Sequence, residues 1–162
     1  MRYAPARDFQ MKSLTTARDK KEIIIRLGQL KPDSQRLWGK MTPHQMICHL
    51  TDSFKLAIGE KSVSSVDVPV PRVLIKWIAL KTPIRWPKGV KTRPEMDQER
   101  GGTKPSEFEA DFQQLEGIIE RFVKEQKDHL SQAHPLFAKM SEEEWMRWGY
   151  LHLDHHLRQF GL

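Results

Sequence analysis

Apolar residues return with a helical period in four stretches of this chain, and a convincing strand period is found nowhere. The first stretch opens at Thr15 or Thr16, where Ala17 to Leu30 sets Ile23, Ile24, Leu27 and Leu30 among good helix formers. Lys31-Pro32 ends it, because proline disfavours helical geometry in the residue before it. The second start is the most concentrated: Thr42 can cap, Pro43 suits the first helical position, Gln45 completes a Thr-x-x-Gln capping box, and Met41 can staple onto Met46. A helix from Pro43 to about Ile58, stopped by Gly59, is predicted. Ser106-Glu-Phe-Glu109 repeats the capping-box pattern and opens a helix to about Lys127, with Phe108, Phe112, Leu115, Ile119 and Phe122 on one face. Ser141-Glu-Glu-Glu144 caps the last helix, its carboxylates near the positive end, with Gly161 just past the final turns.

Between the second and third helices the pattern breaks. Six prolines, Pro69 to Pro105, with Gly89, Gly101 and Gly102, cut residues 61–105 into a long connection holding one short helix at about Arg72 to Lys81. Connections of this length act as lids or binding elements, or simply cross the surface, and the pattern allows both. Residues 1–14 carry no strong period. The expected architecture is therefore a single all-α domain over residues 1–162, a four-helix bundle with one short extra helix. Its long connections favour a crossover over strict up-and-down winding.

Composition narrows the setting. A chain of 162 residues with 38% hydrophobic and 30% charged positions can bury a core of its own. Its net charge of +6 makes an anionic partner reasonable, but the basic residues are dispersed and form no nucleic-acid motif, so nucleic acid is not the expected partner. Cys48 is the only cysteine, which rules out a disulfide within the chain and fits a reducing cytoplasm. With no leader pattern and no apolar run near 18 residues, neither export nor membrane insertion is indicated, and no membrane partner is expected. Val73, Leu74, Trp77 and Ile78 on the short helix suggest a homodimer surface or an extra contribution to the core.

The candidate chemistry lies in the last helix, where His152, His155 and His156 fall within five residues. At about 100° per residue His152 and His156 stand one turn apart and roughly 40° apart around the axis, so both imidazoles can reach one point. They share a face with Trp145, Gly149, Gln159 and Phe160, while Glu143, Arg147, Asp154 and Arg158 lie opposite, so the pair points inward. His155 lies about 80° away and reads as a rim residue. Two histidines make an incomplete metal site, and a third ligand must come from elsewhere. The candidates are His44, His49, His129, His134, Cys48 and carboxylates; His49, mid-helix at the edge of a buried stripe, is the best placed. Trp145, Trp148 and Phe160 read as core, and Cys48 as buried packing.

Two blocks, Trp38-Gly-Lys-Met-Thr-Pro-His-Gln-Met-Ile-Cys-His49-Leu and His134-Pro-Leu-Phe-Ala-Lys-Met-Ser-Glu-Glu-Glu-Trp145 running on to His152-Leu-Asp-His-His156-Leu-Arg-Gln-Phe, resemble the DinB-like (YfiT-like) metalloprotein superfamily, in a branch known only as a domain of unknown function. The resemblance runs from about Gln35 to the end. It implies a four-helix bundle holding a divalent metal, nickel or zinc first and manganese or iron next, through His49, His152 and His156. It further implies a thiol S-transferase or a hydrolase acting on a small thiol or electrophile. Three neutral imidazoles would leave the ion its +2 charge and so favour hydroxide or thiolate near neutral pH. Asp52 and His155 are the candidates for orienting a ligand or shuttling a proton. The rival readings are a non-catalytic bundle that holds a metal or small ligand, and a basic nucleic-acid-associated protein with structural histidines.

Overall fold

The computed structural model describes residues 11–125 and 133–162. Five helices occur there: α1 (Ala17–Leu27), α2 (Pro43–Ala57), α3 (Arg72–Lys81), α4 (Phe108–Lys124) and α5 (Glu142–Leu157). The protein is mostly helical. Single 3-10 turns at Pro94–Met96 and Arg158–Phe160 and a two-stranded ladder, β1 (Ala133–His134) with β2 (Ala138–Lys139), complete it.

Local chemistry explains most boundaries. Thr16 accepts the Asp19 amide and starts α1, which stops at Leu27, earlier than expected; Gly28 caps it and Leu30 is buried in the turn that follows. Thr42 and Gln45 form the full capping box of α2, and Ser141 and Glu144 form that of α5. The start of α4 differs from expectation. Its cap is Glu107, whose carboxylate accepts the amides of Glu109 and Ala110, while Ser106 bonds to Asp111 instead. A carboxylate one residue closer to the helix out-competes the hydroxyl for the unpaired amides. α4 ends at Lys124; its expected end at Lys127, and His129, lie outside the described residues. The β ladder was not anticipated, since two-residue strands are too short to show alternation.

The hydrophobic faces decide the packing. α2 is buried along nearly its whole length and packs on both α4 and α5, while α1 and α3 pack on α5. Phe54 of α2, Phe122 of α4 and Trp148 of α5 meet edge to face at 5.0–6.2 Å between ring centroids, and Trp145 is fully buried beside Trp148. Trp148 and Phe160 are core as expected. Gly149 makes this closeness feasible, because a Cβ there would lie 2.8 Å from Leu14 Cδ1 and 3.0 Å from Phe122. The Leu14 amide bonds to the Met146 carbonyl, tying the segment before α1 to α5.

The 61–105 connection is anchored to α2. Buried Asp52 accepts the Thr103 amide (2.8 Å) and hydroxyl (2.6 Å), with Gln98 Nε2 at 3.4 Å and Lys61 Nζ at 3.2 Å. Within the connection, Ser64 donates its amide to Glu95 and accepts a bond from Arg93. These ties bring Met96 and Gln98 down onto α2, both buried.

Candidate metal centre

α2 and α5 present His49, His152 and His156 to one another. One nitrogen from each ring lies within 4.8 Å of the other two, and the ring centroids are 4.7–5.4 Å apart. His49 and His156 are buried; His152 is partly exposed, but its Nδ1 is enclosed.

Tautomers follow from the partners. His49 Nδ1 lies 2.9 Å from the Met96 carbonyl oxygen, which can only accept, so Nδ1 carries the proton and Nε2 a lone pair. His156 Nδ1 donates to Gln159 Oε1 at 2.6 Å, which leaves its Nε2 as the free base. His152 Nε2 lies 3.4 Å from His49 Nε2, and its Nδ1 has no protein partner. With the proton on either nitrogen, His152 keeps one buried nitrogen unsatisfied, a cost of about 1–3 kcal/mol. Two nitrogens each 2.0–2.1 Å from an ion at the tetrahedral angle would stand roughly 3.3–3.4 Å apart. The spacing and the free lone pairs fit a divalent cation.

Electrostatics agree with neutral rings. Burial pushes the basicity of His49 down, and of His152 and His156 well below the ordinary histidine value; the neighbouring imidazoles press the last two further in the same direction. Neutral imidazole is the form that can ligate.

His155 stands outside the trio. Its ring packs against Trp38, Trp86 and His156, its Nδ1 is buried without a partner, and burial, followed by Arg158, lowers its pKa to about 4. Asp52 is committed to Thr103, Gln98 and Lys61; it favours protonation of His49 through its charge and reaches the site by fixing the segment that carries Met96. Trp86 and Trp148 flank His152 at 5.9 and 5.0 Å. A cleft of about 590 Å³ opens beside the trio, lined by His155, His156 and Gln159 below and by Trp38, Lys40, Lys91 and Arg100 toward solvent.

Among the described residues, the candidates His134, His44 and Cys48 are engaged elsewhere. His134 Nδ1 accepts the amides of Leu136 and Phe137 and its ring stacks on Phe137; burial lowers its pKa to about 3. His44 is partly buried and bonds to Asp111 at 2.7 Å. Cys48 Sγ points at the same carboxylate, 3.7 Å away, and burial and then Asp111 push its thiol up to about 12. These three donors also converge within 4.8 Å, but Asp111 already accepts from His44, Cys48 and Ser106, so the network is satisfied without an ion.

Two supports of the site escaped the sequence reading. Gln159 was visible on the inward face, without a role. Gly39 gave less warning: its φ is +86°, and a Cβ there would overlap Gln159 Nε2. The Leu37 amide also bonds to the Gln159 carbonyl at 2.6 Å, so residues 37–39 clamp the chain just past α5.

Fold and site together define a mostly helical protein with a largely buried three-histidine cluster that could hold a metal. The sequence profile of a family described as "Protein of unknown function (DUF1569)" matches residues 7–161, and the chain belongs to that family. Neither the comparison with curated proteins nor that with solved structures gave a match.

Proposed function

We propose that the protein is a metal-dependent enzyme of DinB-like type, in which α1, α2, α4 and α5 form the four-helix bundle, the 61–105 connection makes the crossover, and His49, His152 and His156 hold a divalent ion. The observation that carries this reading is the convergence of the trio, with Nε2 freed on His49 and His156 by Met96 and Gln159 and a buried nitrogen left over on His152. All-nitrogen ligation suits nickel or zinc, with manganese and iron less favoured. When bound, such an ion retains its full charge and lowers the pKa of a water or thiol beside it, the chemistry of a hydrolase or a thiol S-transferase.

The chain's own groups supply the rest. His156 and Gln159 form the cleft floor, so substrate approaches from that side. Trp86 and Trp148 shield His152 from water. His155, with a free buried Nδ1 at the cleft, is placed to take or return a proton. Lys40 and Lys91 at the mouth favour an anionic substrate. A reducing cytosol suits the lone Cys48.

Metal analysis of the purified protein beside His152→Ala and His156→Ala variants tests the site. Wild type should carry about one ion per chain and the variants a small fraction of it; equal contents would overturn the assignment. A screen of low-molecular-weight thiols against electrophiles tests the enzyme. Turnover that needs the metal and disappears in His49→Ala is expected, whereas metal binding without turnover would reduce the protein to a passive holder.

A further inference from the structure

Residues 68–94 contain Arg72, Lys76, Lys81, Arg85, Lys88, Lys91 and Arg93 and no Asp or Glu. The rest of the chain holds 20 basic and 21 acidic residues, so this one segment carries the whole positive excess. It also carries the apolar surface. Among the described residues ten large hydrophobics are exposed, and six of them, Val70, Val73, Leu74, Trp77, Ile78 and Ile84, lie within fifteen positions centred on α3. Val73 is 75% and Trp77 56% exposed. Val73 with Trp77 and Leu74 with Ile78 form two adjacent rows one turn apart, while Ile75 and Ala79 on the opposite side pack into the body and Leu80, in line with Val73 and Trp77 in the last turn, is buried. α3 is held rigidly in this pose by the Lys76–Glu144 ion pair (3.0 Å), the Arg147 bond to the Leu80 carbonyl and the Trp86 indole bond to the Ala79 carbonyl.

From this we infer that the outer face of α3 docks on an anionic lipid bilayer, lying in the interface without crossing it. No helix among the described residues is long and apolar enough to span a membrane. An aliphatic and tryptophan face flanked by Lys and Arg is the chemistry of interfacial helices: apolar side chains enter the headgroup boundary and the cations meet anionic lipids. A nucleic acid would match the charge but offers nothing to the Val, Leu and Ile rows. A second copy of this face would match the apolar rows but bring two acid-free cationic segments together. The absence of an 18-residue apolar run, which argued against a membrane partner, bears only on spanning. Val90 and Lys91 of the same segment line the cleft beside the histidine trio.

The full chain is mixed with vesicles of pure phosphatidylcholine and of phosphatidylcholine containing phosphatidylglycerol, and sedimented at low and high salt. Partition onto the anionic vesicles alone is expected, weakening severalfold at high salt. The double variant Val73→Glu/Trp77→Glu should lose at least tenfold in partition with an unchanged circular dichroism spectrum, since both side chains point outward. The variant His49→Ala/His152→Ala/His156→Ala should bind vesicles like wild type, so failure of the metal reading leaves this test intact. Equal binding by the Glu variant, no binding to anionic vesicles, or a wild-type dimer that the Glu substitutions dissociate in the absence of vesicle binding would each overturn the proposal.

Discussion

Gln159 shows how much of the site rests on a residue that touches no candidate ligand atom directly at the point of convergence. Its Oε1 fixes the ring of His156, and Gly39 provides the room for its amide. Partners that orient metal-binding histidines typically govern 10- to 100-fold in metal affinity. Gln159→Ala should therefore weaken binding by about that factor in a calorimetric or competition titration. Gly39→Ala should weaken it comparably, by displacing the amide. The double variant should escape the part of the Gly39→Ala loss that comes from the collision, because that side chain is gone, while the strain of alanine at a φ of +86° persists; fully additive losses would show that the collision contributes nothing.

At the level of helices, the cap and the close packing make separable contributions. Ser141→Ala removes one half of the α5 capping box and should cost about 1 kcal/mol in urea unfolding. Gly149→Ala forces a methyl against Leu14, Phe122 and Phe54 and should cost about 1–3 kcal/mol as overpacking, despite the better helix propensity of alanine. Helix positions were readable because they depend on local signals: the boxes at Thr42 and Ser141, Pro43, and the apolar spacing all act within one or two turns. The inward turn of His152 and His156 was readable for the same reason, as a periodicity on a single helix. What escaped was non-local or competitive. The cap of α4 was a contest between Ser106 and Glu107, and Asp111, four residues beyond that contest, decided where Ser106 went. The Met96 carbonyl reaches His49 only because Asp52 grips a segment some fifty residues away, which no local pattern announces.

For the molecule as a whole, acid should act in two stages. Half-buried His134, with its pKa lowered to about 3, binds no proton in the folded state until well below the unfolded value near 6.5. Its contribution to stability is therefore complete above that value and falls as pH drops through the window down to about 3, with a slope of at most about 1.4 kcal/mol per pH unit from this group alone; the lowered His49, His152, His155 and His156 add to it in the same direction. Glu22 adds the second stage. Burial pushes its carboxyl up, but bonds from Tyr150, Lys12 and Arg26 prevail and bring it to about 2, so its contribution is lost between about 4.5 and 2. Chemical unfolding at stepped pH in the presence of chelator checks both; a flat profile from pH 6.5 to 4 would contradict the first. Added nickel or zinc should raise the melting temperature of wild type and leave the triple histidine-to-alanine variant unchanged. The separation of His49 from His152, 103 residues in sequence, gives that effect a further meaning. In the unfolded chain only His152 and His156 of the trio are neighbours, so a three-coordinate grip on an ion would exist solely where a loop of that length has closed. An ion held there would act as a reversible cross-link. A covalent one of similar span is worth about 4–5 kcal/mol of denatured-chain entropy. Metal supply would then govern how long the protein persists in the cell as well as whether it works.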